Sequence, residues 1–257
     1  MINNITSSPY INFLYSNKKL TLVNLLRLSI CLVLICTASS CLKNEDNTPE
    51  GPKARLSVSN YVVNAGGFQV MIDDNQVSTN ELQFGTTTNN GGNTYLQVAA
   101  GLHNIKLSTA NGIIGDYTIA LKSNTNYSLF VYDSLKSSGV KALLAEDEQP
   151  TDTVAKARFL HVVPGDDSLT AVIIKGTVGV ALVRTYLGKQ PDPEINSAFD
   201  LVLDPSFYRV QLRKNNMILF RLDSVLVQAG KQYSFVAAGT SGGTGVYRER
   251  IIVIEHD

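Results

Sequence analysis

The sequence predicts an all-β protein built from two tandem antiparallel, immunoglobulin-like β-sandwich domains that follow an N-terminal targeting segment. Two observations carry this prediction. Beyond Lys53, short runs rich in Val, Ile, Leu, Tyr and Phe alternate with clusters of Gly, Asn, Asp and Ser, and no segment keeps a helical period. The second half of the chain then repeats the pattern of the first, as expected for a duplicated domain.

Composition limits the class of protein. Of the 257 residues, 44% are hydrophobic and 17% charged, which is enough apolar surface to build folded cores. The formal net charge is zero, and the charged residues before Cys41 are Lys18, Lys19 and Arg27. The part from Cys41 onward is therefore slightly acidic, which argues against nucleic-acid binding and against a polybasic membrane patch.

A targeting segment is predicted over residues 1–40. Basic residues precede the apolar stretch 28–38, which has the length of a signal-peptide core and is too short for a bilayer that needs about 20 residues. The stretch ends in Ala38-Ser39-Ser40-Cys41, which resembles a bacterial lipobox. The resemblance implies that Cys41 is lipidated and becomes the new N-terminus. The alternative is an ordinary signal peptide, or a buried helix, with an incidental cysteine.

The residues after Cys41 resemble an export signal. Leu42-Lys43-Asn44-Glu45-Asp46 is similar to the acidic motif that directs Bacteroidetes lipoproteins to the cell surface. This implies a lipid-anchored outer-membrane protein that faces the cell exterior; a plain tether and a periplasm-facing protein are the alternatives. Residues 41–53 are polar with Pro and Gly, which is typical of an extended tether. The other cysteines lie in the signal peptide, so no disulfide or thiolate metal site is expected in the folded body.

The first sandwich is predicted over 54–145. Asn111 and Gly112 predict a type I′ hairpin turn within it, since both central positions of that turn need a positive φ. The predicted strands are 54–63, 68–72, 94–99, 102–108, 113–121, 126–132 and 141–145.

The second sandwich is predicted over 157–257, after an acidic, Pro-containing linker at 146–156. The predicted strands are 157–163, 170–175, 179–185, 199–203, 207–213, 217–226, 231–238 and 247–254. Ala54-Arg55-Leu56 aligns with Ala157-Arg158-Phe159 as the opening of each copy. Tyr127 and Tyr233 follow polar corners at matching places, which predicts tyrosine corners that anchor the preceding turns.

The opening of the second copy resembles a known family. Ala157-Arg158-Phe159-Leu160-His161-Val162-Val163-Pro164-Gly165-Asp166-Asp167-Ser168-Leu169 is similar to the first strand and loop of the DUF4397 family, and Ala229-Gly230-Lys231-Gln232-Tyr233 to the start of its penultimate strand. The first copy has Asn60-Tyr61 in place of the His-containing stretch, so the second copy is the better match. The resemblance implies exported β-sandwich modules with no established activity.

Few residues suggest chemistry. His161 with Asp166 and Asp167 is a candidate ligand-binding group, against the alternative of a histidine that holds its neighbouring loop by hydrogen bonds. No histidine pair has metal-ligand spacing, so neither a metal nor another cofactor is expected. Ser241 lies in a G-x-S-x-G pattern, but a predicted strand and the terminal His256 follow it instead of a helix, which favours a flexible Gly-rich loop.

Two further sets of polar residues remain. Asp73-Asp74-Asn75 and Pro191-Asp192-Pro193-Glu194 could offer oxygens to calcium, but both lack the alternating ligand pattern and are more simply turns. Four tripeptides resemble the Asp-Ser/Thr-aliphatic O-glycosylation motif of Bacteroidetes. They predict candidate acceptors at Ser134, Thr153, Ser168 and Ser224.

We therefore expect a cell-envelope lipoprotein, not an enzyme, that acts as a binding or adhesion module for a glycan or another envelope protein. A structural or accessory subunit of an envelope complex is the second hypothesis, and a hydrolase around Ser241 or His161 the third. An aromatic-lined polar cleft would favour ligand binding, and large exposed apolar patches would favour the structural role.

Overall fold

The computed structural model of the protein describes residues 51–88, 95–135, 139–148, 153–190 and 197–256. All of these residues belong to one compact unit, Pro49–Asp257. The predicted signal peptide, Cys41 and most of the predicted tether lie outside the described residues. Within the described part of the chain, no helix is long and apolar enough to cross a membrane.

The all-β prediction is confirmed: the described strands form four four-stranded sheets, which pack in pairs as two sandwiches. The strands of the first sandwich are β1 (Lys53–Val63), β2 (Gln69–Ile72), β3 (Asn75–Gln76), β4 (Leu96–Ala99), β5 (Gly101–Thr109), β6 (Gly112–Leu121), β7 (Asn126–Ser134) and β8 (Lys141–Asp147). The strands of the second are β9 (Ala155–His161), β10 (Ser168–Lys175), β11 (Val178–Thr185), β12 (Leu201–Leu203), β13 (Ser206–Lys214), β14 (Met217–Val227), β15 (Gln232–Ala238) and β16 (Arg250–His256).

The two sandwiches share one strand order. The first has sheets β4-β1-β7-β8 and β3-β2-β5-β6, and the second has β12-β9-β15-β16 and β11-β10-β13-β14. The pairing is antiparallel except for β1 with β7 and β9 with β15, which are parallel. The antiparallel sandwiches predicted from the sequence are confirmed, and these two parallel pairs are an addition, because side-chain alternation is the same in both kinds of pair and does not reveal direction.

Each sandwich has its own core between its two sheets. In the first sandwich the fully buried members include Leu56, Val58, Ile105, Leu107 and Leu129. In the second they include Phe159, Ala171, Val210, Leu212 and Phe235. Burial of such side chains is the main stabilising contribution of each half.

A third apolar core joins the two sandwiches through the sheets β4-β1-β7-β8 and β12-β9-β15-β16. It explains why every residue of the central strands β7 and β15 is buried, since both faces of these strands are covered. Its buried members are Tyr61, Phe130, Tyr132, Leu143, Ala145, Leu160, Val162, Tyr186, Leu187, Val236, Ala238 and Ile254.

Both predicted tyrosine corners are confirmed. The backbone N–H of Lys122 donates to the Tyr127 hydroxyl at 3.1 Å, and the N–H of Gln228 donates to the Tyr233 hydroxyl at the same 3.1 Å. Each phenol therefore fixes the turn five residues before it, in the same way in both halves.

The register corrects the predicted alignment of the two copies. Leu56 pairs with Tyr127 in the first sandwich, and Ala157 pairs with Tyr233 in the second, so Leu56 and Ala157 are equivalent. The predicted alignment, which matched Leu56 with Phe159, is wrong by two residues. A shift of two leaves every side chain on its own face of the sheet, so the apolar pattern alone cannot detect it.

The hairpin turn of the first sandwich lies one residue before the position predicted for a type I′ turn at Asn111 and Gly112. Thr109 pairs with Gly112, so the hairpin turn consists of Ala110 and Asn111, and the positive φ of 116° belongs to Gly112. The equivalent hairpin of the second sandwich turns at Asn215 and Asn216, with φ of 49° and 67°. Two consecutive positive φ values are what a type I′ turn needs, and asparagine tolerates them better than most residues.

The strands extend into the predicted tether and linker. β1 begins at Lys53, β8 runs to Asp147 and β9 begins at Ala155, while 149–152 lie outside the described residues. Asp147 was expected in a solvated acidic linker, but it is buried.

Candidate functional site

The loop after β9 and the Gly-rich loop after β15 meet at one end of the second sandwich. The backbone N–H of Ser241 donates to the Pro164 carbonyl at 3.2 Å, and the Ser241 hydroxyl donates to Asp166 Oδ1 at 2.6 Å. Two segments that the sequence analysis singled out separately are thus held together. The Ser241 hydroxyl donates a hydrogen bond to a carboxylate whose pKa is lowered, so Asp166 is a weak base for activating this hydroxyl.

Asp166 is the buried centre of this loop cluster. The Lys214 ammonium forms an ion pair with its Oδ1, the atom that also accepts the Ser241 hydroxyl. Burial acts to raise the pKa of Asp166, but the hydrogen bonds from Lys214 and Ser241 outweigh it and hold the pKa below its usual range. Burial and the neighbouring Asp166 carboxylate raise the pKa of Glu249. The result is a carboxyl pair that retains a proton more readily than two separate carboxylates would.

His161 lies buried beside this cluster. Its Nδ1 accepts the backbone N–H of Val163 at 3.2 Å, and its ring lies 5.7 Å from the ring of Tyr186. Burial lowers the pKa of His161 to about 4, although Asp166 acts in the opposite direction. At neutral pH the side chain is therefore a neutral acceptor for its own loop, which is the geometry of the loop-holding alternative.

Asn60 makes the same contact in the first sandwich. Its Oδ1 accepts the N–H of Val62 at 2.9 Å, and the register of the parallel strands makes Asn60 the equivalent of His161. An asparagine and a histidine thus perform one backbone-fixing role at the same position.

The remaining candidates lie apart from one another. Asp167 is exposed and pairs with Lys189, whose hydrogen bond lowers the pKa of the carboxyl. Among the candidate glycosylation acceptors, Thr153, Ser168 and Ser224 are exposed and Ser134 is buried. Burial of Ser134 leaves a glycosyltransferase no access to its hydroxyl in the folded protein.

No group of three or more metal-ligating side chains occurs among the described residues. Asp73 instead accepts the backbone N–H of Asn104 at 2.9 Å and contacts the His103 ring at 2.7 Å, which are the bonds of a turn. The stretch 191–194 lies outside the described residues.

A lateral cleft of about 790 Å³ opens between β6 and β8, the free edges of the two sheets of the first sandwich. Its walls combine aromatic rings, apolar side chains and charges. Lys122 pairs with Glu146 across the rim at 2.6 Å. The lining residues central to its chemistry are Tyr117, Lys122, Tyr127, Leu129, Glu146 and Phe199.

Two side chains that line this cleft are smaller than their equivalents in the second sandwich. Leu129 and Ala142 line it, and the register places Phe235 and Ile251 at the equivalent positions of the second sandwich. Phe235 and Ile251 are buried in the second core. The volume that these two residues fill in the second sandwich is left open in the first.

A buried polar network lies behind the cleft, at the interface of the sandwiches. The Arg158 guanidinium pairs with Asp147 at 2.6 Å, and both side chains are fully buried. Arg158 Nε donates to the Ser234 hydroxyl at 2.7 Å, and its guanidinium carbon lies 4.2 Å from the ring centroid of Phe199 and 4.9 Å from that of Phe130. A buried charge persists only with partners of this kind, because its desolvation is costly.

The network continues through His256. The Tyr95 hydroxyl donates to Asp147 Oδ2 at 2.9 Å and lies 3.0 Å from His256 Nδ1, and the Ser234 hydroxyl lies 2.7 Å from His256 Nε2. This order of serine, histidine, hydroxyl and carboxylate is similar to the relay of a serine hydrolase. Ser234 is completely buried, however, so a substrate carbonyl cannot reach its hydroxyl.

Equivalent positions of the two halves meet in this network. Asp147 pairs with Asn126 in the first sandwich, and His256 pairs with Gln232 in the second. Because Asn126 and Gln232 are equivalent, Asp147 and His256 are equivalent as well. The two sandwiches therefore contact each other through the same face, as the subunits of a twofold dimer do. Sequence analysis missed these residues, since it placed Asp147 in a linker and His256 at a terminus; their contacts join different halves of the chain.

Comparison with known families gives a match to part of the chain. No match was found among curated proteins. The model of the family described as "Domain of unknown function (DUF4397)" matches residues 54–171, which cover the first sandwich together with β9, its following loop and the beginning of β10.

Proposed function

We propose that this protein is a cell-envelope lipoprotein whose two sandwiches act as a non-enzymatic binding module, with the lateral cleft of the first sandwich as its ligand site. The observation that carries the proposal is the cleft itself. Tyr117 provides a partly exposed ring, the buried rings of Tyr127 and Phe199 form part of the inner wall, and Lys122 and Glu146 provide a donor and an acceptor at the rim. Concave sites with a mostly apolar lining and a few convergent polar groups are typical ligand sites.

A glycan of the cell envelope is the ligand class that this lining favours. Sugar rings present apolar C–H faces that pack on aromatic side chains, and hydroxyl groups that bond both charges of an ion pair such as Lys122 and Glu146. Another envelope protein is the alternative ligand.

The non-enzymatic part of the proposal is supported by the state of each hydroxyl and imidazole that could take part in catalysis. Ser241 donates to Asp166, the Nδ1 of His161 is bonded to its own loop, and Ser234 is buried. A nucleophile needs both an adjacent base and access to substrate.

The envelope location is supported by the sequence. We propose a lipid on Cys41, outer-membrane attachment and display toward the cell exterior through the acidic residues behind Cys41. Globomycin treatment or Cys41→Ala is expected to block processing and release the protein from the membrane fraction. Protease digestion of intact cells tests the outward orientation; full protection of the protein would contradict it.

Filling the cleft tests the binding proposal. Ala142→Ile introduces the side chain that the second sandwich has at the equivalent position, and we expect it to abolish binding on an array of envelope glycans while the melting temperature changes little. Ala229→Ile, on an exposed corner of the second sandwich, is the matched control. Binding that survives Ala142→Ile, or an array without any signal for the unmodified protein, would contradict the proposal.

A structural or accessory subunit remains the second candidate function. The observation that favours it is a set of large apolar side chains on the outer faces of both sandwiches, including Leu102 and Phe207. Exposed apolar groups of this size often mark contacts with other proteins. In-cell crosslinking of the full-length protein distinguishes the two functions, since a stable complex would yield a defined protein partner.

A further inference from the structure

Each sandwich has one sheet whose outer face is not covered by the rest of the described protein. We define the first outer face by the outward residues of β5 and β6 and the second outer face by those of β13 and β14. In the first they are Leu102, Asn104, Lys106, Ser108, Ile113, Asp116, Thr118 and Ala120. In the second they are Phe207, Arg209, Gln211, Arg213, Ile218, Arg221, Asp223 and Leu226.

At one pair of equivalent positions the two faces carry opposite charge. Asp116 lies opposite Lys106 in the first sandwich, and Arg221 lies opposite Gln211 in the second. Because Lys106 and Gln211 are equivalent, Asp116 and Arg221 are equivalent as well. An acidic residue of the first outer face is thus replaced by an arginine in the second.

The internal contacts leave each face with its own excess charge. Around the first face, Lys106 pairs with Asp74 at 2.5 Å and also lies opposite Asp116, which accepts a hydrogen bond from Asn104 at 2.6 Å, so one lysine serves two carboxylates. In the second, one carboxylate is shared, since Asp223 lies 2.8 Å from Arg221 and 3.5 Å from Arg209. Arg213 bonds the neutral Gln211.

The same positions on both faces hold exposed apolar side chains. Leu102 is 75% exposed and its equivalent Phe207 is 63% exposed; Ile113 is 59% exposed and its equivalent Ile218 is 48% exposed. Each face therefore has apolar corners around a charged centre. Phe and Arg are enriched in protein interfaces, and apolar corners of this kind gain free energy when a partner covers them.

We propose that the second outer face of one copy of this protein binds the first outer face of another copy. Pairing unlike faces brings Arg221 and Arg213 toward Asp116 and buries the apolar corners of both faces. Pairing two second outer faces would instead oppose arginines, which is unfavourable. The contact is heterologous, so it leaves one face free on each partner and builds open chains or larger rings rather than closed dimers.

The expected affinity is modest. The two strands that define each face are 9 to 11 residues long and about 4.8 Å apart, so each face covers roughly 300 Å², well below the roughly 800 Å² per partner of a standard stable interface. Because charge steers the association, it weakens as salt rises. The inference does not depend on the lipid anchor or on a ligand in the cleft, although Thr118 and Ala120 belong both to the first outer face and to the lining of the cleft.

Sedimentation velocity of the full mature chain, made soluble by Cys41→Ser, tests the proposal. We expect the sedimentation coefficient to rise with concentration into species larger than a dimer, and to fall again as salt is added. A chain that stays monomeric at every concentration, or that stops at a dimer, would overturn the proposal.

Charge reversal gives the sharper test. Arg221→Glu on the second outer face and Asp116→Lys on the first should each weaken self-association at least tenfold, and a mixture of the two variants should associate again. Asp204→Lys, an exposed reversal outside both faces, is the control and should behave as the unmodified chain. Unchanged self-association of either variant, or a mixture that remains monomeric, would show that these faces do not bind each other.

Discussion

The two sandwiches use the same scaffold and differ at its open surfaces. Strand order, the parallel pair, the tyrosine corner and the side-chain bond of Asn60 or His161 recur in both halves. The cleft occurs at one edge of the first sandwich, and the carboxyl pair occurs in the loops of the second. The comparison separates what the fold requires, which is repeated, from what has diverged, which is where we look for function.

The interface between the halves shows this most clearly. A symmetric contact would place two identical side chains opposite each other at the positions of Asp147 and His256. In this chain one is an acid and the other a base, and Arg158 adds a cation that has no equivalent in the first half, where Ser57 occupies its position. The contact between the two halves is therefore complementary rather than like-with-like.

Breaking the buried ion pair should have the largest effect. Arg158→Met leaves Asp147 buried without its cation, and the free energy of unfolding should fall by about 3–5 kcal/mol in chemical denaturation. Lys175→Met, which breaks an exposed pair with Asp204, is the matched control and should cost less than about 1 kcal/mol. Equal losses in the two variants would show that burial does not set the strength of the Arg158 pair.

Replacing His161 with asparagine, the residue at the equivalent position of the first sandwich, should have the second-largest effect. A histidine titrates near pH 6.5 in the unfolded chain and at about 4 in the folded one, so the unfolded state binds an extra proton between these values. The free energy of unfolding should therefore fall as the pH drops from 6.5 to 4, by roughly 3 kcal/mol in total.

His161→Asn should retain the bond to the Val163 N–H and lose this pH dependence, which denaturation curves across that pH range will measure. His161→Ala, which loses the bond as well, should be less stable than His161→Asn even at pH 7. A pH dependence that persists in His161→Asn would assign it to other groups.

The corner tyrosines should respond alike. Tyr127→Phe and Tyr233→Phe each remove one hydrogen bond to a backbone N–H at 3.1 Å, and each should cost about 1 kcal/mol. A cost confined to one of the two variants would mean that the repeated geometry does not have a repeated energetic role.

Glu249→Gln should give the smallest change, and a stabilising one. Burial and the neighbouring Asp166 raise the pKa of Glu249, so the folded state favours its protonated form and ionisation at neutral pH is unfavourable. A neutral amide removes that penalty. The melting temperature should rise slightly at pH 7 and stay the same at low pH, where Glu249 is already protonated; a lower melting temperature at pH 7 would contradict the assignment.

The positions of the strands were predictable because each one has local alternation and ends in turn residues. β5 was predicted over 102–108 and observed as Gly101–Thr109, whereas β3, two exposed polar residues, has no apolar pattern and was missed. The parallel pairing and the register between the copies depend on partners far away in the chain, so they left no local signal.

The candidate site shows the same contrast between local sequence signals and contacts with distant segments. That Ser241 and Asp166 share a loop cluster, and that Asp147 is buried by the second sandwich, could not be inferred from either segment alone. The cleft depends on side-chain volume at Leu129 and Ala142 relative to their counterparts, which becomes informative only when the register of the two copies is known.

The parallel pairs impose an order on folding. β1 is the first strand of its sandwich and pairs early with β4, yet its parallel partner β7 begins only at Asn126, so most of the first half must be present before that parallel pair can form. The first sandwich can then close once β8 is available, but its Tyr61 and Phe130 side stays uncovered until β15 and β16 have formed. During that interval the half-formed protein exposes a wide apolar surface. A chaperone that binds this surface would protect the chain at this stage, and misassembly with another nascent copy would be easiest at the same stage.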